Sequence, residues 1–174
     1  MTKRAASANR RTDIVNAAIE VFAEIGYYRA TTAQVAERAE ISQPYVFRFF
    51  NKETLMVAAL EVSFQRIQQA FDRIIRSADQ EHLEAGLIRE YEGIMELHRN
   101  EILLQMQAQT IQEEPIREAM RKGMAEIHQM VLNAFEKAGI GNPQRRTENF
   151  IARGLLCNVT MALNLPQLMK KDLG

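Results

Sequence analysis

Nowhere does the chain run to about 18 consecutive apolar residues, so no membrane-spanning helix is predicted. The segment Met1 to Arg11 is basic and polar with no apolar stretch behind it. A secretory signal is therefore not expected, and the protein is expected to stay in the cytoplasm. A single cysteine, Cys157, excludes an intrachain disulfide and suits a reducing compartment; it reads as a core residue. Alternating apolar and polar runs are missing, as are internal repeats and low-complexity stretches, which removes strands and solenoids from consideration.

Catalytic signatures are equally scarce. His82, His98 and His128 lack the Glu three residues earlier that a di-iron bundle site uses. H-E-x-x-H, a cysteine pair and a glycine-rich phosphate loop are all absent. The chain is accordingly read as not an enzyme, with no cofactor and no metal. Net charge is zero, but it is unevenly spread: through Glu53 there are eight Lys or Arg against six Asp or Glu, and the remainder reverses the balance. Four of the cations, Lys3, Arg4, Arg10 and Arg11, precede residue 12. Residues 1–10 thus read as a flexible basic arm, fitted either to phosphate or simply to solvent.

What the 174 residues do have is helical periodicity from end to end. Ile14, Ala18, Phe22 and Ile25 recur on one face, and Gly26 stops that helix where a left-handed residue is needed. Thr31-Thr32-Ala33-Gln34 offers a capping box for a second helix reaching about Ala39. Its small inner residues Ala36 and Ala39 permit a close helix crossing. Glu40 and Ile41 turn a corner; Ser42 can cap a third helix over Gln43 to Phe50, with Pro44 tolerated in its first turn. Which of Phe47, Phe49 and Phe50 points inward is left open by the spacing. Asn51 caps a long fourth helix, and four more follow over roughly Glu81–Leu97, Glu101–Gln112, Ile116–Ala138 and Pro143–Leu165.

This order of elements, with Ile14, Ala18, Phe22, Gly26-Tyr27, Thr32, Val35-Ala36, Ile41-Ser42, the aromatic cluster and Asn51-Lys52-Glu53, resembles the N-terminal domain of the TetR family of bacterial transcriptional regulators. The likeness runs from Arg11 to about Leu60. It implies an all-α protein with a helix-turn-helix DNA-binding domain over residues 1–52 and a helical effector-binding and dimerisation domain over 53–174. Five helices follow the third where the family typically has six. Three positions depart from the pattern. Glu40 stands where glycine is common, so the turn must avoid the left-handed region or accept strain of about 1 kcal/mol. Phe47 replaces a frequent tyrosine and lacks its hydroxyl, and the interval from Phe50 to Lys52 is one residue short.

The resemblance implies a ligand-responsive regulator, a repressor that binds a palindromic double-stranded DNA operator as a homodimer and is released by a small molecule. A helix of this length fits the major groove, its early residues reaching base edges while neighbouring groups hold phosphate. Gln43 and Tyr45 are candidates for base or sugar-phosphate contact, Pro44 for a thymine methyl, Arg48 for guanine or phosphate. Lys52, Thr31, Thr32, Ser42 and Arg11 are candidates for positioning on the backbone. Each also has a plain structural reading, as a cap, a rigid turn or a solvated charge. Phe64, Phe71, Tyr91, Met95, His98, Met106 and Gln109 are expected to line a partly apolar effector pocket. Met120, Ile127, Val131, Phe150, Gly154, Leu155, Val159 and Leu163 are expected to build a two-fold interface that holds the recognition helices about 34 Å apart, or a multiple of that. The rival reading is a helical interaction or small-molecule carrier protein that never touches DNA.

Overall fold

The computed structural model describes residues 3–168, with side chains from residue 9 onward. The side chains of Lys3 and Arg4, two of the three cations in the expected basic arm, lie outside the described residues. Among those described, the architecture is all-α: α1 (Lys3–Ile25), α2 (Thr32–Arg38), α3 (Gln43–Phe47), α4 (Lys52–Ser77), α5 (Leu83–Leu97), α6 (Arg99–Ala108), α7 (Glu114–Lys137) and α8 (Pro143–Leu163), closed by a 3₁₀ turn at Pro166–Leu168. Helix α1 begins at Lys3, running back through the stretch read as an arm.

Helices α1, α2 and α3 pack into one small unit because their apolar stripes converge. Ile14, Ala18, Phe22, Val35, Ala36 and Val46 are all buried there. Arg38 clamps α2 onto α1, donating to Glu20 at 2.8 Å and to both carboxylate oxygens of Glu24 at 2.9 and 2.7 Å. The α2–α3 corner is a Schellman turn: Ile41 N–H bonds the Ala36 carbonyl and Glu40 N–H bonds that of Glu37. Glu40 sits at φ 54, so the strained alternative is the one adopted. Glu40→Gly is expected to relieve it and raise the melting temperature by roughly 2–4 °C, about 1 kcal/mol, in thermal unfolding. An unchanged or lower midpoint would contradict this account.

Helix α3 ends at Phe47, three residues before the expected limit. The chain must turn extended at Asn51 to form the next capping box, in which Asn51 Oδ1 accepts from Thr54 N–H at 2.8 Å and Thr54 Oγ1 accepts from Asn51 N–H at 3.0 Å. That resolves the aromatic cluster: Phe50 is buried, Phe49 half-buried, and Phe47 is 57% exposed. Helix α4 then runs 26 residues, packing on α1 at its start and on α5, α6 and α7 further along. Its inner face buries Leu55, Leu60, Phe64, Ile67 and Phe71.

Candidate nucleic-acid interface and effector cavity

The outer surface of α3 is built by a very short helix whose core anchor is Val46 alone. Pro44, Phe47 and Arg48 are exposed on it and Tyr45 is half-buried. Tyr45 packs edge-on against Phe49 with centroids 5.4 Å apart, and the Arg48 guanidinium lies 5.4 Å over the Tyr45 ring. The phenol and the guanidinium are thereby presented side by side at the surface. Such a pair can donate hydrogen bonds to phosphate or to a base edge. Pro44 and Phe47, one helical turn apart, add an apolar strip that suits thymine methyl groups.

Several expected contact residues are otherwise engaged. Gln43 Nε2 donates to Thr32 Oγ1 at 3.0 Å, so its amide nitrogen braces α3 against α2 while its carbonyl oxygen stays available. Thr32 itself is buried, which turns its hydroxyl away from any phosphate and leaves only its backbone to contribute. Thr31 serves the capping box, with Gln34 Oε1 accepting from Thr31 N–H at 2.9 Å. Ser42 sits at the N-cap of α3 yet makes no capping hydrogen bond, a departure from its expected role that frees the exposed hydroxyl. Lys52 Nζ donates to the Tyr28 carbonyl at 3.1 Å and lies 4.8 Å over the Tyr27 ring, tying the start of α4 to the α1–α2 loop rather than projecting outward. Arg11 is exposed on α1 and stacks 4.9 Å over Phe50.

A second feature lies in the bundle. An apolar cavity of about 50 Å³ is lined by Phe64, Ile67 and Phe71 of α4, Tyr91 of α5, and Gln105 with Gln109 at the end of α6. Met120, Met124 and Ile127 of α7 close another wall, and Phe150, Ile151, Gly154, Leu155 and Asn158 of α8 complete it. No charged side chain is among them. The Tyr91 hydroxyl donates to Asn158 Oδ1 at 2.9 Å, and burial pushes its pKa up to about 12, so it remains a neutral donor. Gln105 Nε2 donates to Ser63 Oγ at 3.0 Å.

Phe64, Phe71, Tyr91 and Gln109, expected to line an effector pocket, all line this cavity. Met95 and Met106 pack against the core without reaching the cavity, and His98 faces a separate cleft between α4 and α5 with Arg66 and Arg73. The expected dimer residues divide in the same way. Met120, Ile127 and Val131 are buried where α7 packs on α4, and Phe150 is buried on α8 against Phe71 and Phe135. Gly154 lies against the Tyr91 ring, where an added Cβ would meet it at 3.4 Å. Leu155, Val159 and Leu163 remain exposed, joined on α8 by Leu156, which sequence reasoning missed.

A polar network also missed joins the two parts. Arg66 of α4 pairs with the buried Glu101 of α6 and donates to Asn16 Oδ1 of α1 at 2.8 Å, while His98 Nδ1 lies 3.1 Å from Glu101. Nearby, Gln107 Nε2 donates to the Ala23 carbonyl at 2.8 Å, so α6 is bonded to α1 directly as well as through Arg66 of α4. The partners on different helices lie 35, 50 and 84 residues apart in number, and local spacing holds no trace of such contacts.

Among the described residues no helix is long and apolar enough to cross a membrane. Residues 14–59 match the family model for bacterial regulatory proteins, tetR family. No curated protein shows a significant sequence match. Solved structures share this chain's fold: the transcriptional regulator FadR from Bacillus subtilis, in complex with stearoyl-CoA, superposes with a TM-score of 0.76 at 17% identity, 88% of each chain being covered. The fatty acid degradation regulator FadR from Bacillus halodurans gives 0.76 at 14% identity, over 89% of this chain and 86% of that one. A TetR/AcrR-family regulator from Thermobifida fusca gives 0.66 at 22% identity, over 91% and 87%. At these identities the likeness establishes a shared fold along nearly the whole chain.

Proposed function

We propose that this chain, a transcriptional regulator whose DNA-binding domain is of the tetR family, acts in the cytoplasm as a homodimeric repressor that leaves its operator when a small, largely apolar molecule enters the bundle cavity. The observation that carries this is the path of α4. One continuous helix starts at the exit of the helix-turn-helix unit and lines the cavity with Phe64, Ile67 and Phe71. A molecule that binds the cavity in only one arrangement of α4 shifts the recognition helices by its differential affinity for that arrangement.

The exposed stripe Leu155, Leu156, Val159 and Leu163 on α8 supplies the apolar face for pairing two copies. Two α3 helices then meet two half-sites, and affinity depends steeply on salt through phosphate neutralisation. The uncharged cavity lining suits the hydrocarbon part of a ligand, and the stearoyl-CoA bound by the Bacillus subtilis FadR provides a chemical precedent in a long acyl thioester.

The test is a gel shift of the purified protein on DNA from upstream of its own gene, at graded salt and with or without stearoyl-CoA. Binding that weakens with salt, and drops at least tenfold with the thioester, is the expected result. No retarded species at any salt would favour the carrier reading instead; retention unaffected by stearoyl-CoA would remove long acyl thioesters as the effector class.

A further inference from the structure

We infer that Phe64, seated on Gly123, sets the length of uncharged chain that the cavity accepts. This rests on the reading of the cavity as the effector site. Three observations meet at this pair. The open volume of about 50 Å³ is far below what an effector of ordinary size fills, roughly 300 Å³ or more, so a side chain must move for one to enter. Phe64 is one of the bulkiest of the lining side chains, and it is buried. Its ring lies directly on the backbone of α7: a Cβ built on Gly123 would come within 2.2 Å of Phe64 Cδ2 and 2.4 Å of Cε2 and Cγ. Any residue larger than glycine there is incompatible with the present position of the ring.

Position along the helix gives the pair its role. Phe71 closes the far end of the cavity against Phe150, with centroids 5.6 Å apart, and against Tyr91 at 6.1 Å. Phe64 lies seven residues nearer the helix-turn-helix unit, about 10 Å along α4. A chain lying along α4 from the Phe71 end toward the helix-turn-helix unit therefore meets its limit at the Phe64 ring. Chains that stop short of the ring gain roughly fourfold in affinity per added methylene, and longer ones gain nothing until the ring gives way. No carboxylate partner exists among the lining residues, so the limit is read on a neutral chain and not on a free acid.

The experiment measures binding of straight 1-alkanols from six to sixteen carbons to the full-length protein by calorimetry. Affinity should rise with length and then level off. Phe64→Leu and Phe64→Ala should move the plateau to longer chains, by about one and about three methylenes respectively, in keeping with the side-chain volume removed. Gly123→Ala should shorten it, since the added methyl drives the ring off α7 into the cavity. In the Phe64→Ala background the Gly123→Ala change should leave the plateau where Phe64→Ala alone puts it, because no ring remains to be displaced. Should Gly123→Ala fail to fold, the two Phe64 variants still decide. A plateau at the same length in both would overturn the assignment of Phe64 while leaving the effector site standing. Failure of every alkanol to bind the unaltered protein would overturn the site and the inference together.

Discussion

Tyr45→Ala with Arg48→Ala is expected to lower operator affinity by about a thousandfold while leaving the fold intact. The two side chains lie together on the exposed surface of α3, with the guanidinium 5.4 Å over the ring. Each direct contact of this kind is worth about 1 kcal/mol at the low end of the measured range, and a two-fold assembly on a palindrome uses each one twice, which gives about 4 kcal/mol. Neither residue anchors α3; Val46 and the Gln43 to Thr32 hydrogen bond do. The melting temperature should consequently fall by only a few degrees, mostly from the lost Tyr45 to Phe49 packing. Lys52→Ala makes the contrasting control. Its ammonium is held by the Tyr28 carbonyl and the Tyr27 ring, so it should cost more in stability than in affinity. A double variant that keeps full operator affinity would move the DNA-reading surface away from α3.

The helix-turn-helix unit was legible because its signals are local. A capping box is four residues long, a proline in a first turn is read from its neighbours, and the stripe Ile14, Ala18, Phe22 shows one side of one helix. Even there, the side chains resisted. Thr32 and Gln43 look like polar surface residues in the sequence, yet they spend their hydrogen bonds on each other across the α2–α3 angle. The bundle was harder for a different reason. Periodicity says that a face is apolar without saying what covers it. Helix α8 carries two such faces, one with Phe150, Ile151 and Gly154 around the cavity and another with Leu156, Val159 and Leu163 facing outward, and Leu155 at their border belongs to both. Met120, Ile127, Phe150, Gly154 and Leu155, assigned from sequence to an intersubunit face, line the cavity, and Met95, Met106 and His98, spaced like pocket residues, face elsewhere.

Glu101→Leu is the second large effect expected, and it tests whether the bundle and the DNA-binding unit are held together by charge. The Glu101 side chain is only 9% exposed and its partner Arg66 is 32% exposed. Burial alone holds the Arg66 guanidinium below its usual pKa, but arginine stays charged at neutral pH. Removing the carboxylate leaves that cation with Asn16 as its remaining acceptor and strips His98 of its partner. Orphaning a fully buried charge costs roughly 3–5 kcal/mol; a third of Arg66 is open to water, so about 2 kcal/mol is expected, a fall of roughly 4–8 °C in melting temperature. Arg66→Met together with Glu101→Leu should recover most of it, since an apolar pair needs no partner. Desolvation, and secondarily the charge of Arg66, lower the pKa of His98, so the folded state favours its neutral form. That contribution is complete above the unfolded value of about 6.5 and is lost as pH falls toward the depressed one. In Glu101→Leu the interaction that helps the folded protein tolerate a protonated His98 is gone, and the loss of stability on acidification should steepen. A melting temperature unchanged by Glu101→Leu at pH 7 would mean that packing of α1 on α4 and α6, without the ion pair, suffices to join the two parts.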